Sequence, residues 1–193
     1  MSAYRVACLG WGSLLWDPRT LPMAEGFRAA GPMLPIEFSR VATDGRVTLV
    51  IDDSAEPIQT HCVQMDVASL DEAVRELGLR EKIAPERIRD WIGVQTRATA
   101  LQESGGRAEG FHAEIARWLS EQPLDAVVWT ALPPRTPDGR LETPSLEALL
   151  GHLEGLTGSA LSRAEEYIRR APETVRTPRR RRFEEEFGWS QIP

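Results

Sequence analysis

The stretch Leu9–Pro18, "LGWGSLLWDP", follows an apolar run that starts at Tyr4 and is typical of a β-strand. Gly10 and Gly12 stand one residue apart at the end of this predicted strand. Glycines at such a place allow a tight turn, and the N–H groups of the turn can bind an anion. Pro18 disfavours a helix directly after the turn, because proline restricts the preceding residue and lacks an N–H. We therefore expect a strand that leads into a compact turn.

Two glycine-rich phosphate-binding motifs do not fit this stretch. The dinucleotide motif G-x-G-x-x-G requires a small residue where Leu15 stands, and a helix that Pro18 disfavours. The P-loop motif requires a Gly-Lys-Ser/Thr ending, which this turn lacks. A backbone nest over Gly10–Leu14 would suit a carboxylate, and a plain structural turn is the alternative. The local sequence leaves both interpretations open.

Composition narrows the class of protein. The chain has 193 residues, of which 41% are hydrophobic and 27% charged, as in a single globular domain. The formal net charge of −6 argues against generic nucleic-acid binding, which needs a basic surface. No apolar run approaches the ~20 residues that span a bilayer, and no secretory signal is recognisable. We expect a cytoplasmic protein without membrane partners, with Cys8 and Cys62 as free thiols.

The predicted elements follow an α+β order. Further strands are predicted over 35–41, 46–51, 61–67 and 125–132, with 91–102 as a weaker candidate before a loop over 103–110. Asp44-Gly45 predicts a hairpin between the strands at 35–41 and 46–51. Ser69 and Glu72 form a capping box that begins a helix, and Gly78 is placed to end it. Further helices are predicted over 111–120, 146–156, 159–171 and 179–187.

The domain prediction is one domain over 1–193, with a mixed α/β core over 4–132 and a helical extension over 145–189 packed on it. The segment "RRRRFEEEF" in this extension predicts a solvated helix with i,i+4 charge pairs. Phe183, Phe187 and Trp189 are expected to dock that helix.

Two motifs together resemble the γ-glutamylcyclotransferase-like superfamily. Its members open with a strand that leads into Tyr-Gly-Ser-Leu or Tyr-Gly-Ser-Asn, often followed by Met-Trp-x-Pro. Here Gly10–Pro18 is similar to that run, with Trp11 in the place of the tyrosine. The helix end "ELGLRE", Glu76–Glu81, is similar to Tyr-Leu-Asp-x-Arg-Glu in the branch that acts on glutathione, which places Glu81 at the catalytic glutamate. The resemblance lies mainly in residues 4–85 and includes "FSR" at 38–40.

The resemblance implies a mixed, partly barrel-like sheet and an intramolecular aminolysis. The α-amine of a γ-glutamyl group attacks its own γ-carbonyl, 5-oxoproline forms, and an amine leaves. A partly buried carboxylate can carry both proton transfers, and Glu81 is the expected proton shuttle. No cofactor and no metal is needed. The expected substrate is a small molecule with a carboxylate, and the expected substrate-binding residues are Gly10, Trp11, Gly12, Ser13, Leu14 and Arg40.

Several residues keep an alternative interpretation. Glu81 is otherwise a solvated charge at a helix end, and Glu37 and Glu76 are the reserve catalytic carboxylates. Glu37 alternates with apolar neighbours, so it faces either solvent or a cavity. Arg40 binds a substrate carboxylate or pairs with Asp44. We expect structural roles for His61 and His112 and a surface or boundary position for His152, since none has metal-ligand or triad spacing.

Two other functions remain open from the sequence. One is a non-catalytic module that binds small anions with the same turn. The other is a partner-binding protein that uses the C-terminal helices, for which an exposed leucine stripe over 146–156 would be the sign. The sequence leaves the oligomeric state and the substrate undefined.

Overall fold

The computed structural model describes residues 4–99 and 110–192. The strands are β1 (Val6–Gly10), β2 (Met33–Val41), β3 (Val47–Ile51), β4 (Pro57–Gln59), β5 (His61–Gln64), β6 (Ile92–Thr96) and β7 (Ala126–Thr130). The helices are α1 (Leu70–Arg80), α2 (Ile88–Trp91), α3 (Phe111–Glu121), α4 (Leu146–Glu154), α5 (Gly158–Arg170) and α6 (Pro178–Phe187). A 3₁₀ turn, Pro85–Arg87, precedes α2.

The chain divides into two compact units. The first unit contains the described residues of 1–10, 17–34 and 59–131, and the second contains 11–16, 35–58 and 132–193. The glycine turn therefore begins in the first unit with Gly10 and continues in the second with Trp11–Trp16.

A four-stranded mixed sheet with the order β5-β1-β7-β6 forms the centre of the first unit. β1 and β7 run parallel, with Cys8 opposite Val128, whereas β5 and β6 pair antiparallel with their neighbours. Both central strands are almost entirely buried, as their continuous apolar sequences require. Because β1 and β7 are parallel, both end at the same edge of the sheet.

Helix α1 lies against β7 and β6 of this sheet and begins as the capping box predicts. The Ser69 hydroxyl oxygen accepts a hydrogen bond from the Glu72 N–H at 3.2 Å. We expected Gly78 to end the helix, but the helix continues to Arg80. Gly78 is needed for packing instead, because a Cβ there would lie 2.9 Å from the Ile88 side chain.

A three-stranded sheet with the order β3-β2-β4 belongs largely to the second unit. The predicted hairpin is confirmed: β2 and β3 pair antiparallel on either side of Asp44-Gly45, with an irregularity between Phe38 and Arg40. Gly45 has a φ of 89°, a left-handed conformation that glycine adopts without strain. The short strand β4 has no counterpart in the predicted elements.

The C-terminal helices carry little exposed apolar surface. On α4, Leu149 and Leu153 are buried and Leu146 and Leu150 are half-buried, as is Leu156 just after the helix, so the leucine stripe is not an exposed face. On α6, Phe183 is buried and Phe187 stacks on Trp189, as expected. The expectation that the arginines of this helix are all solvated is wrong for Arg180, which is buried and donates to the carbonyls of Pro172 and Val175.

The fold class is α+β, with two sheets and helices, and the mixed sheet is confirmed. Over residues 4–99 and 110–192 neither sheet closes into a barrel, so the barrel-like expectation is not met. β6 falls within the weaker strand candidate at 91–102. The end of that candidate lies outside the described residues, and so does most of the loop predicted at 103–110. Within the described residues, no helix has the length and apolar character that crossing a membrane requires.

Candidate functional site

Glu81 holds a defined position at the end of α1. The helix closes in a Schellman motif, in which the Ile83 N–H donates to the Gly78 carbonyl at 2.9 Å and the Lys82 N–H to the Leu79 carbonyl at 3.1 Å. Lys82 takes the left-handed position of this motif, with a φ of 57°, where a glycine is usual. The motif fixes the backbone of Glu81 between the helix and the turn.

The Glu81 carboxylate is oriented through one of its two oxygens. Arg80 Nη1 donates to Glu81 Oε1 at 2.7 Å, and the Thr130 hydroxyl donates to the same oxygen at 3.3 Å. Among the described residues, none donates a hydrogen bond to Oε2. The side chain is 16% exposed, so Glu81 is neither the solvated charge of the alternative interpretation nor fully enclosed.

Arg80 is itself anchored, which stiffens the pair. Its side chain is 4% exposed, and its Nε and Nη2 donate to the Asp17 carbonyl at 3.2 and 2.6 Å. The backbone carbonyl of Arg80 also accepts a hydrogen bond from Arg19 Nη1 at 2.8 Å. The segment after the glycine turn and the end of α1 are thus joined within the first unit.

The Glu81 carboxylate lies at the edge where the two parallel strands end. Thr130, its hydrogen-bond partner, is the last residue of β7, and Gly10 is the last residue of β1. Burial raises the pKa of the Cys8 thiol on β1, and the negative charge of Glu81 raises it further. The hydrogen bond from Thr130 and the register of β7 against β1 place the carboxylate near the end of β1.

Within the second unit, the glycine turn is packed by tryptophan and tyrosine side chains. The buried Trp11 donates from Nε1 to the Leu49 carbonyl at 3.3 Å, and the Leu15 N–H closes the turn on the Gly12 carbonyl at 3.0 Å. A Cβ on Gly12 would lie 2.4 Å from the Tyr167 hydroxyl oxygen, so this glycine permits a close approach. Leu14 is buried and Ser13 half-buried.

Glu37, the first reserve carboxylate, has a different environment from the one we expected. It is 5% exposed, and its carboxylate accepts hydrogen bonds from the Thr177 hydroxyl at 2.5 Å and from the N–H groups of Phe38 and Arg179 at 2.8 and 3.3 Å. Thr177 is the N-cap residue of α6. Burial raises the pKa of Glu37, while these hydrogen bonds and the charge of Arg179 act in the opposite direction. Glu37 thus fastens the start of a helix.

Arg40 does not pair with Asp44, which forms an ion pair with Arg46 at 2.9 Å. Instead, Arg40 Nη1 donates to the Pro133 carbonyl at 2.6 Å. Arg40 and Arg135 form a β-bridge, and burial together with the positive charge of Arg135 lowers the pKa of Arg40. In the described part of the chain, neither arginine has a carboxylate in ion-pair distance, so two positive charges without an acidic partner occupy paired backbone positions.

The remaining predicted residues have ordinary roles. Glu76, the second reserve carboxylate, pairs with Arg75 at 3.0 Å on the surface of α1. His152 bonds to the Gly45 carbonyl at 2.8 Å, and His112 packs edge-on against Trp129. Cys8 and Cys62 are free thiols. Across residues 4–99 and 110–192, no group of three His, Cys, Asp or Glu side chains could hold a metal ion.

Comparisons with protein-family models, with curated proteins and with solved structures find no match for this chain. Sequence reasoning missed Arg80, Thr130 and Arg135. Arg80 precedes Glu81 in "LRE" and Thr130 ends an obvious buried strand, but only the packing of α1 against β7 brings that strand end to Glu81.

Proposed function

We propose that the chain is a small-molecule enzyme of γ-glutamyl cyclotransferase type, with a fold related to the γ-glutamylcyclotransferase-like superfamily. One observation carries the proposal. The Glu81 carboxylate is partly buried and held through Oε1, at the sheet edge where β1 leads into the glycine turn. The motif resemblance assigns the catalytic carboxylate to the same residue.

The reaction moves one proton and exchanges one C–N bond for another. The α-amino nitrogen of the γ-glutamyl group forms a bond to the γ-carbonyl carbon, and Glu81 takes a proton from that nitrogen. The bond between that carbonyl carbon and the leaving nitrogen then breaks, and Glu81 returns the proton to the departing amine. No electrons are gained or lost, so the step needs no redox partner.

The geometry around Glu81 supports this role in two ways. Arg80 and Thr130 fix one carboxylate oxygen, which reduces the conformational freedom lost on reaching the reactive arrangement. The other oxygen, Oε2, has no donor among the described residues and is the one available to the substrate. A general base must reach its proton within hydrogen-bond distance, and a fixed carboxylate with one available oxygen suits that requirement.

The test is a direct assay for 5-oxoproline. Purified protein is incubated with glutathione, γ-glutamyl amino acids and γ-glutamyl amines, and product is measured by mass spectrometry. We expect turnover with at least one compound and a loss of roughly 10²–10⁴-fold in Glu81→Gln. Glu76→Gln, on the surface of the same helix, is the matched control and should keep full activity. Absence of turnover on every compound would reject the proposal.

A second candidate function is supported by the arginine pair of the second unit. Arg40 and Arg135 pair through their backbones, the positive charge of Arg135 acts on Arg40, and an anion bound near them would reduce that repulsion. A non-catalytic anion-binding module would place its ligand there. Calorimetric titration with glutarate should then show binding that Arg40→Met weakens, in a protein that yields no 5-oxoproline from any γ-glutamyl compound.

A further inference from the structure

His61 shares a sheet face and a sheet edge with Glu81. It pairs with Gly10 across β5 and β1, and Val63 pairs with Cys8. Directly opposed residues on neighbouring strands point to the same face of a sheet. Cys8 is also opposite Val128 on β7, and Thr130 stands two residues further along the same face.

The Thr130 hydroxyl bonds Glu81, so this is the face on which the Glu81 carboxylate lies. His61 and Thr130 are separated by one strand, β1, whose residue at this level is Gly10. Two strand spacings correspond to about 10 Å between the backbones, a distance that the two side chains shorten. A bound γ-glutamyl group is long enough to contact both residues.

Neither nitrogen of the His61 imidazole has a hydrogen-bond partner among the described residues. Nδ1 is buried without a hydrogen-bond partner, and within the described residues Nε2 has none either, although it is not enclosed. A buried N–H without an acceptor is rarer in proteins than a buried acceptor without a donor. The neutral tautomer that carries its proton on Nε2 therefore fits the site, and burial lowers the pKa of His61, which keeps the ring neutral.

We propose that His61 donates a hydrogen bond from Nε2 to the γ-carbonyl oxygen of the substrate, opposite the proton transfer by Glu81. This inference rests on the proposed function. When the α-amine bonds to the γ-carbonyl carbon, the π electrons of the carbonyl move to its oxygen, and the His61 N–H stabilises the negative charge formed there. The electrons return as the leaving amine departs, and His61 keeps its proton throughout.

The experiment compares His61→Leu and His61→Gln with wild type in the 5-oxoproline assay. The leucine variant removes the donor and should lower kcat about 10²-fold with KM changed by less than about threefold. The glutamine variant keeps an N–H at a similar reach and should recover at least about tenfold of that loss. His112→Leu is the matched control, because His112 packs against Trp129, which alternates with Val128 and so lies on the opposite sheet face.

A second measurement does not depend on activity. Nitrogen NMR of the wild-type histidine rings at pH 7 should show His61 neutral and protonated on Nε2, with the assignment made from the spectrum of His61→Gln. A ring protonated on Nδ1, or wild-type kcat in His61→Leu, would overturn the role of His61 while the proposed function stands. A wild type without turnover on any γ-glutamyl compound would instead remove the proposed function, and this inference with it.

Discussion

Glu81 and Glu37 are both shielded from solvent, but they sit at opposite ends of helices. Glu37 binds the N-terminus of α6, where backbone N–H groups and the positive end of the helix dipole favour a carboxylate. Glu81 stands at the C-terminus of α1, where the dipole disfavours one, and Arg80 supplies the compensating charge. Both carboxylate oxygens of Glu37 accept hydrogen bonds. The hydrogen bonds to Glu81 are both accepted by Oε1.

A structural carboxylate differs from a candidate catalytic one in how many of its oxygens are bound by the protein itself. A carboxylate whose every oxygen is bound by its own chain stabilises the fold and leaves nothing for a substrate. A carboxylate held by one oxygen at an unfavourable helix end costs stability, and such costs are expected at functional sites. Substitutions at the two carboxylates should therefore affect stability and activity differently.

The largest effect is expected from Glu37→Ala. The change leaves the Thr177 hydroxyl and the Arg179 N–H without their acceptor and creates a cavity at the start of α6. We expect the free energy of unfolding to fall by about 2–4 kcal/mol in a urea titration. Glu154→Ala, an exposed position on α4, should change it by less than about 0.5 kcal/mol. Equal effects of the two changes would contradict the structural role of Glu37.

Glu81→Asp tests whether the position of the catalytic carboxylate matters. The shorter side chain withdraws the carboxylate from the sheet edge while its charge remains. We expect kcat for 5-oxoproline formation to fall about 10–100-fold, with the thermal midpoint within a few degrees of wild type. Full activity in this variant would show that the reaction does not depend on where the Glu81 carboxylate lies.

Gly12→Ala tests the packing of the glycine turn. The added Cβ would lie 2.4 Å from the Tyr167 hydroxyl oxygen, so the tyrosine or the turn must move. We expect a loss of about 1–3 kcal/mol in the free energy of unfolding. Tyr167→Phe removes the clashing atom, and the double variant should therefore lose less than the two single changes added together. Strict additivity would mean that the two residues do not meet.

The smallest effect is expected from Lys82→Gly. Lys82 has a left-handed φ of 57°, which glycine adopts without steric cost. The change should stabilise the protein by up to about 1 kcal/mol in the same urea titration and leave the assay for 5-oxoproline unaffected. A destabilised variant would indicate that the Lys82 side chain contributes more than the Schellman geometry requires.

Local patterns in the sequence predicted the local structure well. The Asp44-Gly45 turn, the Ser69 cap and the apolar runs each act over a few neighbouring residues, and the structure contains the corresponding hairpin, helix and strands. The prediction that Gly78 ends the helix is wrong, because a glycine near a helix end can serve either in the left-handed cap or in close packing. Here it serves packing against Ile88, and Lys82 takes the left-handed position instead.

Long-range contacts could not be predicted in this way. β1 pairs with β7, and Glu37 meets Thr177 140 positions later in the chain. No periodicity in one segment encodes its partner in another. The glutamate at 81 could be selected from a motif, but Thr130 beside it and His61 on the same face follow only from the sheet register.

The most direct test measures two variants in two assays. Glu81→Gln and Glu37→Gln are each assayed for 5-oxoproline formation and for unfolding by urea. We predict that Glu81→Gln loses turnover by at least about 10²-fold with a stability close to wild type. Glu37→Gln should keep its turnover and lose about 1–2 kcal/mol of unfolding free energy. Turnover retained in Glu81→Gln and abolished in a folded Glu37→Gln would contradict the assignment of the two carboxylates.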